Sequence, residues 1–274
     1  MSAVPWSTHA LDLRSDRVVK TFLRGRHDEC GREWRALTLL DAHAPGLAPA
    51  PRGSDLTAEQ PVVVMSRLPG EPLRGRPLDA RQLAALAATV GELYAAVPAE
   101  VLRTVPPRPN RPERLVAQIH AWTPDVRPRV GAEVGAAMDR GLAWLAGSGL
   151  ERAPAAAPDV PAVFGPGDGN LANYLWDGAR VRVVDFEDSG RSERPFELAE
   201  ITEHAGSWVE HPLDVEAFLG RFDLGAAERA RLGQYRRLLA LVWLFLVCFD
   251  DPENPRNPPG TADRQAGRLR RLLG

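Results

Sequence analysis

Apolar and polar positions change period several times along this chain. Near the start, Ala10, Leu11 and Leu13 lead to a turn-like stretch at residues 14–17, and Val18, Val19, Thr21 and Phe22 then gather β-branched and aromatic side chains. This pattern predicts a hairpin with Lys20 on its second strand. From Asp28 the apolar positions Trp34, Leu37 and Leu40 recur at helical spacing among charged residues, and Pro45 with Gly46 closes the segment. A Pro-rich loop is expected next. It runs to the continuous apolar stretch at residues 61–66, which has the length of a buried strand and stops at Pro69 and Gly70. That stop is the expected boundary between a small N-terminal lobe, residues 1–67, and a larger remainder, residues 68–274.

Beyond the boundary the pattern is mainly helical. Leu83, Leu86, Val90, Leu93, Tyr94 and Val97 share one helix face, with Asp79 placed to cap its start. Residues 115–122 and 134–145 predict two further helices, followed by an Ala/Pro-rich connector at 153–161. Two short strands at 174–176 and 181–184 flank Asp177 and Gly178, a dipeptide that favours a tight hairpin turn. Helices are expected again at 196–208, 215–222, 226–249 and 262–273. Strands first and helices afterwards make this an α+β chain.

Composition narrows the partners. The 274 residues suffice for about two domains at roughly 150 residues each. With 44% apolar and 26% charged residues, the chain has the balance of an ordinary globular protein. The 34 basic and 36 acidic side chains leave a net charge of -2, which argues against nucleic acid as the main partner. Cys30 and Cys248 lie far apart, without metal-ligand spacing, so reduced thiols are expected rather than a disulfide or zinc site. The first residues carry no basic stretch followed by an apolar one. The longest apolar run, 238–249, falls short of the about 20 residues that span a bilayer, so a cytoplasmic protein is expected.

The segment richest in chemistry is GPGDGNLANYLWDGARVRVVDFEDSG, residues 165–190. Asp168 stands five residues before Asn173, a tight hairpin follows, and Asp185 with Phe186 ends an apolar strand. Phosphoryl transfer uses these side-chain types: a carboxylate to orient the attacking hydroxyl, and a carboxylate with an amide oxygen to hold magnesium against the nucleotide phosphates. Hard oxygen ligands suit Mg²⁺, and a loop followed by a hairpin brings the three groups together.

Here the sequence resembles the aminoglycoside phosphotransferase family, whose members have a two-lobed protein-kinase-like fold. Its catalytic loop reads HGD, four residues, then Asn, and its metal-binding segment reads DF or DW after an apolar strand. The resemblance implies that Asp168 is the catalytic base and that Asn173 and Asp185 hold magnesium. It also implies that Lys20, in RVVKTF, contacts the α- and β-phosphates of ATP and pairs with a helix glutamate, Glu33 or Glu29. PVVVMSRLPGEPL resembles the strand and hinge whose backbone receives adenine, which places Met65, Ser66 and Leu68 beside the nucleotide. The implied partner is a hydroxylated small molecule: aminoglycoside-like, a sugar, an amino alcohol or another natural product.

Three departures stand out. No glycine precedes Gly25, so the Gly-rich loop that covers the phosphates is expected to be absent or shortened. Pro166 replaces the family's histidine two residues before Asp168, and Glu187 replaces the glycine of DFG. The first two suit an alternative, a non-catalytic nucleotide-binding or scaffold protein of the same fold. The intact Asp168, Asn173 and Asp185 set disfavours it.

On the acceptor side the pattern is less specific. Glu187, Asp188, Glu193, Glu200 and Glu203 are expected to be mostly solvated charges, with attraction of a polycation as the functional option. Trp208 and Trp243 are read as core or as stacking platforms. Asp250 and Asp251 end an apolar helix and are candidate acceptor contacts. His204 and His120 have no partner at metal-ligand spacing and are read as structural.

Overall fold

The computed structural model describes residues 9–151, 160–250, 253 and 255–274. Its first part is a four-stranded antiparallel sheet in the order β1-β2-β4-β3. β1 (Ala10–Leu13) and β2 (Arg17–Thr21) form the expected hairpin, with Leu11 opposite Lys20. α1 (His27–His43) follows and buries Cys30, Glu33, Ala36, Leu37 and Leu40. β3 (Pro51–Asp55) corrects the expectation of an open loop. Its sequence, PRGSD, has no alternation to announce a strand; an irregular ladder to β4 (Val62–Ser66) imposes the extended backbone. β4 lies between β3 and β2, facing Lys20 with Val63. Lys20 is therefore on an inner strand and is only 4% exposed.

The chain then passes through β5 (Glu71–Pro72) into α2 (Ala80–Ala96). Asp79 caps α2 as expected, accepting from the Gln82 N–H, while the Gln82 side chain returns the bond to the Asp79 N–H. Next come α3 (Ala99–Leu102), α4 (Pro112–Val126) and α5 (Ala132–Ser148). The expected connector at 153–161 falls largely outside the described residues. β6 (Ala162–Gly165), β7 (Tyr174–Trp176), β8 (Val181–Val183) and β9 (Gly190–Glu193) then lead into α6 (Arg194–Glu203). α7 (Val215–Leu219), α8 (Ala226–Cys248) and α9 (Thr261–Leu273) complete the helical part. α6 and α7 are shorter than their apolar spans suggest.

Two small sheets position the segment 165–190. The β7–β8 hairpin turns where expected: Gly178 adopts φ 96°, and Asp177 Oδ1 accepts the N–H groups of Ala179 and Arg180. β5 extends that hairpin on the β7 side. β6 pairs with β9 from Ala162 opposite Glu193 to Gly165 opposite Gly190, so the two ends of the segment are stitched together. The sequence reading contains neither β6 nor β9; GRSE, the β9 segment, has no strand pattern of its own. Beneath them α8 buries Leu238, Leu239, Leu241, Leu244 and Phe245 among α4, α5, α6 and α9. Cys30 and Cys248 are free thiols. No helix among the described residues is long and apolar enough to cross a membrane.

Candidate active site

The loop between β6 and β7 carries Asp168. Its Oδ1 accepts the Asn170 N–H at 2.9 Å, and its Oδ2 accepts from Asn173 Nδ2 at 2.9 Å. The Asn173 amide therefore spends its nitrogen on Asp168, which leaves its oxygen to face another group. Burial pushes the Asp168 carboxyl above its usual value, against the opposing pull of those two hydrogen bonds. A third of the side chain still reaches solvent. The glycines on either side answer close backbone approaches. Gly167 adopts φ 87°, and a Cβ there would lie 2.0 Å from the Asp188 carbonyl oxygen; a Cβ on Gly169 would lie 2.2 Å from the Glu200 carbonyl carbon.

A second cluster gathers around Lys20. Its Nζ lies 2.5 Å from Asp185 Oδ1, 2.7 Å from Glu187 Oε2 and 3.2 Å from Glu33 Oε2. Burial alone would lower its pKa, but the three carboxylates outweigh that and hold it well above the ordinary lysine value. Glu33, fully buried, also accepts the Phe186 N–H at 2.8 Å, so α1 is tied to the Asp185–Phe186 segment through one carboxylate. Between the two helix glutamates left open by the sequence, the structure selects Glu33. Glu29 instead pairs with Arg26 at 2.7 Å and with His9 at 3.2 Å.

Asp185 is the only non-glycine residue with positive φ among the described residues, at 70°. A strained backbone that the surroundings enforce is a common mark of a working side chain. Burial raises its pKa despite Lys20, and the charges of Glu187 and Asp168 add to that rise. The Val184 N–H donates to the Asn173 carbonyl at 2.9 Å and joins the strand leading to Asp185 to the loop that carries Asp168. Ligand oxygens of Glu33, Asp185 and Glu187 lie within 4.8 Å of one another. Carboxylate oxygens are the donor type that suits Mg²⁺, and these same three carboxylates already surround the Lys20 ammonium. Glu187, in the place of the DFG glycine, bridges Lys20 and His9 with its carboxylate; burial would raise its pKa, but those contacts hold it down at about 2.

Arg108 forms the floor. It is 1% exposed and donates to Glu197 Oε1 at 2.7 Å, to Glu200 Oε1 at 2.8 Å and to the Gly167 carbonyl at 2.6 Å. The Gly167 N–H returns to Glu197 Oε2 at 3.3 Å. α6 thus holds the loop that carries Asp168 through one guanidinium. The expectation of solvated acidic residues is overturned: Glu193 is buried against Arg231 and Tyr235, Glu200 against Arg108, and Glu203 against Arg236 and Arg268. Sequence periodicity reads such residues as surface because their arginine partners lie far along the chain.

One consequence is measurable. Burial pushes Glu200 from an ordinary 4.5 up to about 7, although Arg108 pulls the other way. Between those values the folded chain keeps a proton that the unfolded chain has released, so rising pH favours unfolding across that window. The Tm is expected to fall as pH rises through it, and Glu200→Gln to flatten the slope. Equal slopes in thermal unfolding of the two proteins would contradict this.

His204, read as structural, has its Nε2 3.2 Å from Asp168 Oδ1. His120 is exposed and pairs with Glu151. Trp208 is core, with the guanidinium groups of Arg264 and Arg268 over its ring, while Trp243 packs edge-on against His204 at 4.4 Å. Asp250 is engaged in closing its own loop, accepting from the N–H groups of Arg256 and Asn257; Asp251 lies outside the described residues. In the segment after β4, Met65 is buried, the Ser66 hydroxyl accepts the Ala50 N–H at 2.8 Å, and Leu68 is half-buried.

The model of the Phosphotransferase enzyme family matches residues 7–236. The chain belongs to this phosphotransferase family. Solved structures agree on its fold. A choline/ethanolamine kinase family protein from Mesorhizobium loti superposes with a TM-score of 0.66 at 18% identity, covering 97% of this chain and 85% of its own. The AMP-bound complex of spectinomycin phosphotransferase gives 0.65 at 11% identity, covering 96% and 88%. Choline kinase LicA from Streptococcus pneumoniae gives 0.60 at 14% identity, covering 96% and 88%. No curated protein matches at a significant level. This phosphotransferase therefore has the kinase-like α+β fold, with a small sheet lobe and a helical C-terminal part, and its family supports phosphoryl transfer to a small molecule.

Proposed function

We propose that this phosphotransferase is a cytoplasmic small-molecule kinase that moves the γ-phosphoryl group of ATP onto a hydroxyl of an aminoglycoside-like compound, a sugar, an amino alcohol or a related natural product. The observation that carries the proposal is the Asp168 carboxylate held by Asn173, whose backbone carbonyl in turn accepts the Val184 N–H beside Asp185 of the Lys20 cluster. Residues 1–67 form the nucleotide-binding lobe, and residues 68–274 supply the catalytic loop and the acceptor side.

In this reading Asp168 orients the acceptor hydroxyl and receives its proton. The acceptor oxygen bonds to the γ-phosphorus while the bond from that phosphorus to the β,γ-bridging oxygen breaks, leaving ADP. Lys20 steadies the α- and β-phosphates, and Glu33 holds Lys20 in place. Asp185 and the Asn173 oxygen hold Mg²⁺, with Glu187 within reach. The ion, when bound, neutralises phosphate charge. The backbone around Met65, Ser66 and Leu68 receives adenine. Proximity and charge placement, more than covalent chemistry, supply the acceleration.

A screen of hydroxylated compounds with γ-labelled ATP and Mg²⁺ tests the proposal. Label should appear on at least one acceptor and should not with Asp168→Ala. Transfer equal in both proteins would reject the assigned base, and no transfer across all the acceptor classes named would reject the activity.

A further inference from the structure

The catalytic loop has a neighbour whose geometry is specific enough to assign a task. His204 follows α6 and is about nine-tenths buried. Its two ring nitrogens face different partners. Nδ1 accepts the Gly206 N–H at 2.9 Å, so that nitrogen carries no proton. In the neutral ring the proton must then sit on Nε2, which lies 3.2 Å from Asp168 Oδ1. Burial, together with the nearby Arg74 guanidinium, keeps the ring neutral by pushing its pKa down to about 3, with Glu210 opposing. Trp243 packs edge-on against the ring at 4.4 Å and limits its rotation.

The backbone around His204 is fitted to the loop as closely as its side chain. A Cβ on Gly206 would lie 2.4 Å from Asn170 Oδ1 and 3.1 Å from His204 Nδ1, so the turn carrying the imidazole can approach the loop only because residue 206 is glycine. On the other side of the aspartate, Pro166 has no backbone N–H to offer.

Counting lone pairs gives the consequence. Asp168 Oδ1 has two; the Asn170 N–H takes one, and His204 Nε2 lies 3.2 Å from the same oxygen. Oδ2 receives only Asn173 Nδ2 and keeps one lone pair open. We infer that His204 is a positioning residue: through its Nε2–H it fixes the Asp168 carboxylate so that Oδ2 is the atom presented to the acceptor hydroxyl.

This inference rests on Asp168 being the base, and two readouts separate its failure from failure of that reading. The first needs no turnover. In ¹⁵N spectra of the full chain at neutral pH, with the signal assigned by its loss in His204→Gln, the ring should be the Nε2–H tautomer, and its N–H signal should move in Asp168→Ala. A proton on Nδ1, or an N–H signal indifferent to Asp168→Ala, overturns the contact and the inference with it.

The second readout is kinetic. His204→Phe keeps a ring against Trp243 but loses the donor, and should lower kcat about ten- to a hundred-fold with the nucleotide KM unchanged, the loss expected of a misaligned charged acceptor. His204→Gln places an amide N–H at a similar reach and should recover most of that loss. Undiminished kcat in His204→Phe, or no recovery in His204→Gln when both show the parental Tm, overturns the positioning role. If His204→Phe fails to fold, the ring spectrum and the kcat of His204→Gln decide.

Discussion

Asp168→Ala is expected to lower phosphoryl transfer by about 10²- to 10⁴-fold, the range a positioned acid or base contributes, while ATP binding in the presence of Mg²⁺ stays within a few-fold of the parent. The asymmetry follows from where the side chain spends its contacts. Asp168 bonds to Asn170 and Asn173 within its own loop and approaches His204, whereas Lys20 is engaged by Glu33, Asp185 and Glu187. Removing the Asp168 carboxylate therefore leaves the lysine cluster standing. Because a third of the side chain reaches solvent, water can satisfy the donors it leaves, and the fold should survive. Turnover and calorimetric nucleotide binding, measured on the same preparation, check both halves. A parallel collapse of binding and turnover would mean that Asp168 holds the lobe together instead of handling a proton.

The largest expected loss of stability is at Arg108. Its guanidinium is the partner of two buried carboxylates, Glu197 at 2% and Glu200 at 8% exposure, and the donor to the Gly167 carbonyl. Arg108→Ala leaves those charges uncompensated, which costs about 3–5 kcal/mol, on the order of 10 °C in Tm for a chain of this size. The effect should be greatest above the range in which Glu200 takes up a proton. Adding Glu197→Gln and Glu200→Gln to Arg108→Met removes the orphaned charges and should recover part of the loss. Because Arg108 also holds Gly167, turnover should fall further than stability explains. A Tm within 2 °C or so of the parent would show that the cluster contributes little.

Much of the site was legible because its signals are local. The spacing of Asp168, Asn173 and Asp185, and the Asp177-Gly178 turn between them, lie within one short segment whose backbone the residues themselves dictate. Lys20 was legible as a strand residue with an amphipathic helix behind it, and its partner became definite only when α1 brought Glu33, and not Glu29, against it. The composition carries a further signal: among 34 basic residues Lys20 is the only lysine, in a chain that otherwise uses arginine throughout. A compact ammonium with three donors suits three converging carboxylates better than a planar guanidinium does.

What escaped the sequence has a common physical form. Arg108 sits in a Pro-rich stretch that reads as exposed loop, yet it closes over partners 89 and 92 positions later. His204 and Glu187 reach Asp168 and Lys20 through contacts that no spacing encodes. β3 and β9, with the sequences PRGSD and GRSE, owe their extension to neighbouring strands rather than to their own side chains.

The sole lysine also provides the most direct test of the central claim that nucleotide phosphates meet Lys20 beside Asp185. Full-length protein labelled at lysine gives a single side-chain signal, from Lys20. Adding ATP with Mg²⁺ should shift that signal saturably, and Asp185→Asn should weaken the magnesium-dependent part. A Lys20 signal that stays in place at ATP and Mg²⁺ concentrations high enough to support turnover would contradict the account.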